Sequence, residues 1–227
     1  QNTSIGNSVI NAMAHLWANG RYNKIRGHNV EVKLLVLGDD NLLAVKGEGL
    51  DYCSFMQQQI ELLGLKPKFI RCGTCPTYCS SVFLPVRDAS SNLTHVLVPE
   101  LCRRMAKMGW TVTKPNCKSY LRMKGNCQSF LNNQLMPVGR IFDDYYLSQR
   151  GDASLQYDYR VHGEHVGEYY ICDATLQWFE VNYGLTVPEI MQLEAYLGEC
   201  LNKSGNLPFL WQHVLASKMY DHFSRRS

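Results

Sequence analysis

VEVKLLVLGDDNLLAVKG, Val30–Gly47, is the stretch whose reading decides the fold. Two apolar runs rich in strand formers, Val32–Leu37 and Leu42–Val45, flank a Gly-Asp-Asp-Asn turn. Strand formers on both sides of Gly and Asx residues predict a β-hairpin. Adjacent carboxylates at a hairpin tip repel each other, and a divalent cation is the simplest group to neutralise them. Gly38 leaves room for backbone or substrate to come close. An acidic, solvated turn is the alternative, because turn residues are first chosen for backbone reasons.

Working outward, the composition is that of an ordinary globular protein. The chain has 227 residues, 45% hydrophobic and 19% charged, and a net charge of +3. That length holds one large core or two small ones. The charge permits an acidic partner such as nucleic acid without requiring one. Nine cysteines, an odd count without framework spacing, predict free thiols in a reducing compartment. No apolar run is long enough for a membrane span, and no stretch reads as a signal peptide. The start at Gln1, without Met and directly before a helix signal, reads as a fragment cut from inside a larger protein.

Gln1–Gly6 reads as a loop. Asn7 or Ser8 then caps a helix with Val9, Met13, Leu16 and Trp17 as its apolar stripe and Gly20 as its stop. Asp51 caps a second helix, with Phe55, Met56, Ile60 and Leu63 on one face and Gly64 at its end. Leu65–Ile70, broken by Pro67, is an edge strand or loop, and Cys79–Val86 a second hairpin or strand pair. Pro99 opens a helix ending at Gly109, with Leu101, Met105 and Met108 inward and Arg103, Arg104 and Lys107 over the rest. Asp173 caps a helix that ends at Gly184. Thr186-Val-Pro-Glu189 is a capping box before Ile190–Leu201, and Pro208 opens a last helix through Leu210, Val214 and Phe223. The first part is mixed α/β, and the part from about Asn92 is mostly helical.

The motifs gain meaning from their order. Asn2-Thr3-Ser4-Ile5-Gly6-Asn7-Ser8-Val9-Ile10-Asn11 opens an amphipathic helix, with Thr followed four residues later by Asn, and the GDD hairpin follows. Leu62–Lys68 (LLGLKPK) and CSSVFLPV come next. This succession resembles the palm motifs of RNA-dependent RNA polymerases of positive-strand RNA viruses. The TSIGN wording and VLVPELCRRMAKMGW lean towards the tombusvirus-like and nodavirus-like groups. Motifs in order from Asn2 to Val86 are far more specific than GDD alone. The resemblance implies an α+β right-hand polymerase palm, an antiparallel sheet with packed helices, over residues 1–91. A mostly helical thumb over 92–227 would follow, with the fingers absent.

The same resemblance implies roles. Asp39 matches the family's metal ligand for Mg²⁺ or Mn²⁺, and Asp40 is the second carboxylate, binding metal indirectly or setting the local charge. Asn7 matches the residue that bonds the incoming ribose 2′-hydroxyl, with Thr3 supporting it and Gly6 letting the loop bend near the nucleotide; Asn7 as a plain N-cap is the alternative. Lys68, or else Lys66, matches the general acid towards pyrophosphate, although lysines flanking a proline also suit a solvated surface. Cys79, Ser80 and Ser81 would touch the nascent strand at the primer grip. One departure is expected to matter: the family's first palm motif, with its Asp, and the Ser-Gly pair before Asn2 are not in this sequence. The metal site would then be incomplete, and the chain alone would not polymerise.

Arg103, Arg104, Lys107, Lys114, Lys118, Arg122 and Lys124, with Trp110 and Tyr120 between them, suit contact with an RNA duplex backbone or form a solvated face. Cys72, Cys75 and Cys79, completed by Cys53, Cys102 or His95, make a weak zinc pattern and so an alternative, a zinc-stabilised RNA-binding or structural module. A reverse-transcriptase-like polymerase is a further alternative, opposed by Gly38 and the Thr3/Asn7 pair. The partners implied are RNA template and nascent strand, nucleoside triphosphates and other replication proteins. The implied location is the host cytoplasm, in a membrane-associated replication complex held by regions outside this sequence.

Overall fold

In the computed structural model, β1 (Glu31–Leu37) and β2 (Asp40–Lys46) pair antiparallel, from Glu31 opposite Lys46 to Leu37 opposite Asp40. The structure describes residues 3–27, 29–70, 72, 75–106, 135–148, 167–204 and 213–225. Gly38 and Asp39 form a two-residue turn, and Gly38 supplies the positive φ (65°) that such a turn needs. Exposure alternates along β1, as a half-buried strand requires. Val32, Leu43 and Val45 pack against a core of Ala14, Ala18, Tyr22, Val30, Tyr52, Phe55, Met56 and Ile60.

The first helix corrects the sequence reading in three ways. α1 spans Thr3–Arg26, so residues 3–6 are helical rather than loop, and Asn7 and Ser8 lie inside the helix rather than at its cap. It passes through Gly20 and ends at Gly27, whose φ is 68°. Its buried positions are Ala14, His15, Ala18 and Tyr22. Val9, Met13, Leu16 and Trp17, the expected inward stripe, are 53%, 65%, 56% and 39% exposed. The physical reason lies in what α1 must satisfy. Asn19 and Asn23 donate to the Val30 carbonyl (3.2 Å each), and the Val30 amide donates to the Asn23 Oδ1 (2.9 Å). Small alanines on the same face let helix and strand approach closely, and the bulky apolar residues fall on the other face.

α2 (Tyr52–Glu61) buries Tyr52, Phe55, Met56 and Ile60, while Leu63 beyond its end is largely exposed. Asp51 stands at its N-cap, but its side chain makes no cap bond. It accepts instead from the Tyr22 hydroxyl (2.9 Å) and pairs with Arg26 (2.8 Å), tying α1 to the start of α2. The Tyr52 hydroxyl donates to the Asn19 Oδ1 at 2.9 Å. Residues 65–70 form no strand. β3 (Thr77–Tyr78) follows and lies against β2.

The chain divides into two compact units, Gln1–Cys79 and Ser80–Ser227. In the second, β4 (Ser81–Asp88) and β5 (Leu93–Pro99) form an antiparallel hairpin, and β6 (Tyr169–Tyr170) pairs with β4 at Arg87 and Asp88. The expected palm–thumb division at 91/92 therefore falls in the turn of a hairpin, where paired strands hold the two sides together. Pro99 closes β5 rather than opening a helix. α3 (Leu101–Ala106) follows, with Leu101 and Met105 buried; Met108 lies outside the described residues. Then come α4 (Gly139–Ser148), α5 (Asp173–Tyr183), α6 (Val187–Ser204) and α7 (Val214–Ser224). Cys172, not Asp173, is the N-cap of α5, and Gly184 ends it at φ 69°. Thr186 and Glu189 make the expected capping box: the Thr186 amide and hydroxyl donate to Glu189 at 2.9 and 3.1 Å. Pro208 and Leu210 lie outside the described residues, and α7 begins at Val214.

The chain is thus an α+β protein with antiparallel sheets and packed helices. Among the described residues no helix is long and apolar enough to cross a membrane.

Candidate functional site

The tip of the first hairpin is held by side chains of α1. The Gly38 amide donates to the Ser8 hydroxyl at 2.7 Å, and that hydroxyl donates back along the helix to the Ser4 carbonyl at 2.8 Å. The Asn11 amide nitrogen donates to the carbonyls of Gly38 and Asp39, each at 3.3 Å, and the Asn41 amide nitrogen donates to the Asn11 Oδ1 at 3.4 Å. Asn19 and Asn23 hold the other end of β1 at Val30. The lengths agree: Ser8 to Asn23 rises about 22 Å along a helix, and Val30 to Gly38 spans about 26 Å of strand. A two-stranded sheet alone is marginal in water. This one is fastened to a helix at both ends.

On that support Asp39 and Asp40 stand exposed and adjacent at the tip. Cys79 belongs to the same neighbourhood: its thiol hydrogen-bonds with the Asp40 carboxylate. Burial pushes the Cys79 thiol up, and the nearby Asp40 and Asp39 charges act in the same direction. The Tyr78 hydroxyl is raised by burial first, then by Cys79 and Asp40. Cys79 and Ser80 are consecutive residues at positive φ, 51° and 60°, which marks a tight turn. Ser81 opens β4.

Thr3 and Asn7 are exposed on α1, four residues apart on one side of the helix and each next to a residue of the Ser4–Ser8 pair. Gly6, expected to bend a loop, is a helical residue at which a side chain would meet nothing within 4 Å. Lys68 is exposed, and its neighbour Phe69 turns inward, with its ring 5.7 Å from His15. Among the described residues no ion pair joins Lys68 to Asp39 or Asp40.

Two residues of the expected basic surface, Arg103 and Arg104, are among the described ones. Arg103 is exposed, but Arg104 is buried, with its guanidinium 5.7 Å from the Phe142 ring centroid. A short helix packed on its neighbours carries the long Arg104 stem inward. Lys107, Lys114, Lys118, Arg122 and Lys124, with Trp110 and Tyr120, lie outside the described residues. Among the described residues, Cys53, Cys72, Cys75, Cys79 and Cys102 form no disulfide. Among the described residues no group of three or more His, Cys, Asp or Glu is arranged to hold a metal ion.

In comparisons with known proteins, no family model and no curated protein matches this chain. The functional reading rests on the residues and their geometry.

Ser8, Asn11 and Asn41 are residues that sequence reasoning missed. A signal was there: Ser8, Asn11, His15, Asn19 and Asn23 recur at helical spacing, a polar stripe running beside Ala14 and Ala18.

Proposed function

We propose that this chain carries the palm, and following it the thumb, of an RNA-dependent RNA polymerase that transfers nucleotides from triphosphates to a growing RNA. The observation that carries this reading is the fastening of the Gly38–Asp39 turn to α1 through Ser8 and Asn11. It joins the helix bearing Thr3 and Asn7 to the hairpin bearing Asp39 and Asp40. Ribose recognition and phosphate chemistry need fixed mutual geometry, since a misplaced ligand loses rate steeply.

The donor set fits Mg²⁺ or Mn²⁺. A hard divalent ion of this kind is commonly held by one or two carboxylates, with substrate phosphates and water completing its shell. Asp39 and Asp40 offer two carboxylates at an exposed tip, and substrate can reach them. When bound, such ions activate the primer hydroxyl and steady the leaving pyrophosphate. Asp39 anchors, Asp40 adds negative charge and orients through Cys79, and Asn7 rewards a ribose hydroxyl that deoxyribose lacks. Lys68 is the proposed proton donor to the leaving group. The primer strand would run past Cys79, Ser80 and Ser81.

The test uses the full-length protein that contains this sequence, a primed RNA template and radiolabelled nucleotides. Asp39→Asn is expected to abolish templated incorporation, and Asn7→Ala to reduce the preference for ribo- over deoxynucleotides. Incorporation by Asp39→Asn at the wild-type rate refutes the proposal. Unchanged sugar selectivity in Asn7→Ala refutes the role of that residue.

A further inference from the structure

We infer that Ser8 and Asn11 are positioning residues for Asp39, acting on the backbone of its turn rather than on substrate; this rests on the polymerase reading of the site. Every polar group of the pair has an assigned task. The Ser8 hydroxyl spends its proton on the Ser4 carbonyl, which leaves a lone pair aimed at the Gly38 amide. The Asn11 amide nitrogen faces the Gly38 and Asp39 carbonyls, so only its nitrogen side can point there, and its oxygen receives Asn41. Among the described residues, no hydrogen bond joins the Asp39 carboxylate to α1. Its direction is set through its own peptide group.

The arrangement also links two functions along one helix turn. Asn7 immediately precedes Ser8, so displacement of α1 at the nucleotide is carried to the metal-ligand turn through one bond of 2.7 Å. Ser8→Ala removes that bond and leaves the Gly38 amide without its partner. Ser8→Thr keeps the hydroxyl. Asn11→Asp keeps the shape but sets carboxylate oxygens against two carbonyl oxygens, so it is worse than Asn11→Ala.

The experiment measures single-nucleotide incorporation by the full-length protein as Mg²⁺ and nucleotide are varied separately, with thermal unfolding of each variant alongside. Ser8→Ala is expected to lower kcat by about tenfold, which is about 1.4 kcal/mol of transition-state stabilisation. The Mg²⁺ concentration for half-maximal rate should rise severalfold while KM for the nucleotide stays within about twofold, because the Asp39 turn and not the nucleotide contacts has loosened. Ser8→Thr should restore both, and Asn11→Asp should lose more than Asn11→Ala. A Ser8→Ala enzyme with wild-type kcat and Mg²⁺ dependence overturns the inference. So does a loss that follows the unfolding temperature and is not recovered by Ser8→Thr. If Ser8→Ala does not fold, the Asn11→Asp and Asn11→Ala pair decides: equal rates overturn the inference. The outcomes remain separable from failure of the polymerase reading. In that case Asp39→Asn retains wild-type incorporation, and the inference falls with it; when Asp39→Asn is inactive, only the Ser8 and Asn11 variants decide.

Discussion

Gly184→Ala tests how α5 is ended and what α7 contributes to that end. Gly184 sits at φ 69°, and its amide donates to the Glu180 carbonyl at 2.8 Å, closing the helix. An L-residue in this left-handed region costs roughly 1–2 kcal/mol. Space is the second constraint. A methyl group on Gly184 would lie 2.7 Å from the Cγ and Nδ1 of His222 and 3.1 Å from its Cβ. These are atoms near the root of the side chain, and the ring is held by a 3.1 Å contact between its Nε2 and the Val181 carbonyl. It cannot swing away cheaply, so overpacking adds about 1–3 kcal/mol. The sum is about 2–5 kcal/mol, or roughly 2–4 °C of unfolding temperature for each kcal/mol in a chain of this size. His222→Ala in the Gly184→Ala background removes the two 2.7 Å ring contacts and leaves the backbone cost with the milder 3.1 Å contact to Cβ. The double-mutant cycle should therefore show a favourable coupling of about 1–3 kcal/mol. Hydrogen exchange at the amides of α5 and α7, with denaturant midpoints, reads this locally. A Gly184→Ala protein within about 0.5 kcal/mol of wild type, or one that His222→Ala does not rescue, refutes the reasoning.

Two further predictions address side chains held by tyrosine hydrogen bonds. The Tyr183 hydroxyl donates to the buried Glu100 at 3.0 Å and accepts from the Leu101 amide at 3.3 Å, so Tyr183→Phe should destabilise the second unit by about 1.5–3 kcal/mol in denaturant titration; a loss under about 0.5 kcal/mol contradicts it. The Asp51 carboxyl is held below the usual carboxylate range, first by the Tyr22 hydrogen bond and then by the Arg26 charge. Because the folded pKa lies below the unfolded one, this contribution is complete above about pH 4 and disappears as pH falls through the folded value. Asp51→Asn should flatten that acid limb, and an unchanged acid limb in a stability–pH profile counts against the assignment.

The parts legible in the sequence were the locally encoded ones. The Val30–Gly47 hairpin follows from strand formers on both sides of a turn whose glycine can take positive φ. The capping box at Thr186–Glu189 and the stop at Gly184 follow from short-range chemistry in the same way. The acidic tip was legible too, because Asp39 and Asp40 are adjacent in the chain. Arg104 was not: its spacing suits a solvated face, yet a six-residue helix pressed on its neighbours buries it.

By itself, then, the sequence determined the turn at Gly38–Asp39, the capping box at Thr186–Glu189, the stop at Gly184 and which carboxylates share a tip, since each depends on neighbours within a few residues. Tertiary structure alone decided which face of α1 is buried. Val9, Met13, Leu16 and Trp17 have the greater hydrophobicity, but the peptide groups of Val30, Gly38 and Asp39 take partners that only Ser8, Asn11, Asn19 and Asn23 can offer. The choice depends on groups that lie far apart in the chain, beyond the reach of helical periodicity. It is also the choice that brings Asn7 and Asp39 onto elements bonded to each other.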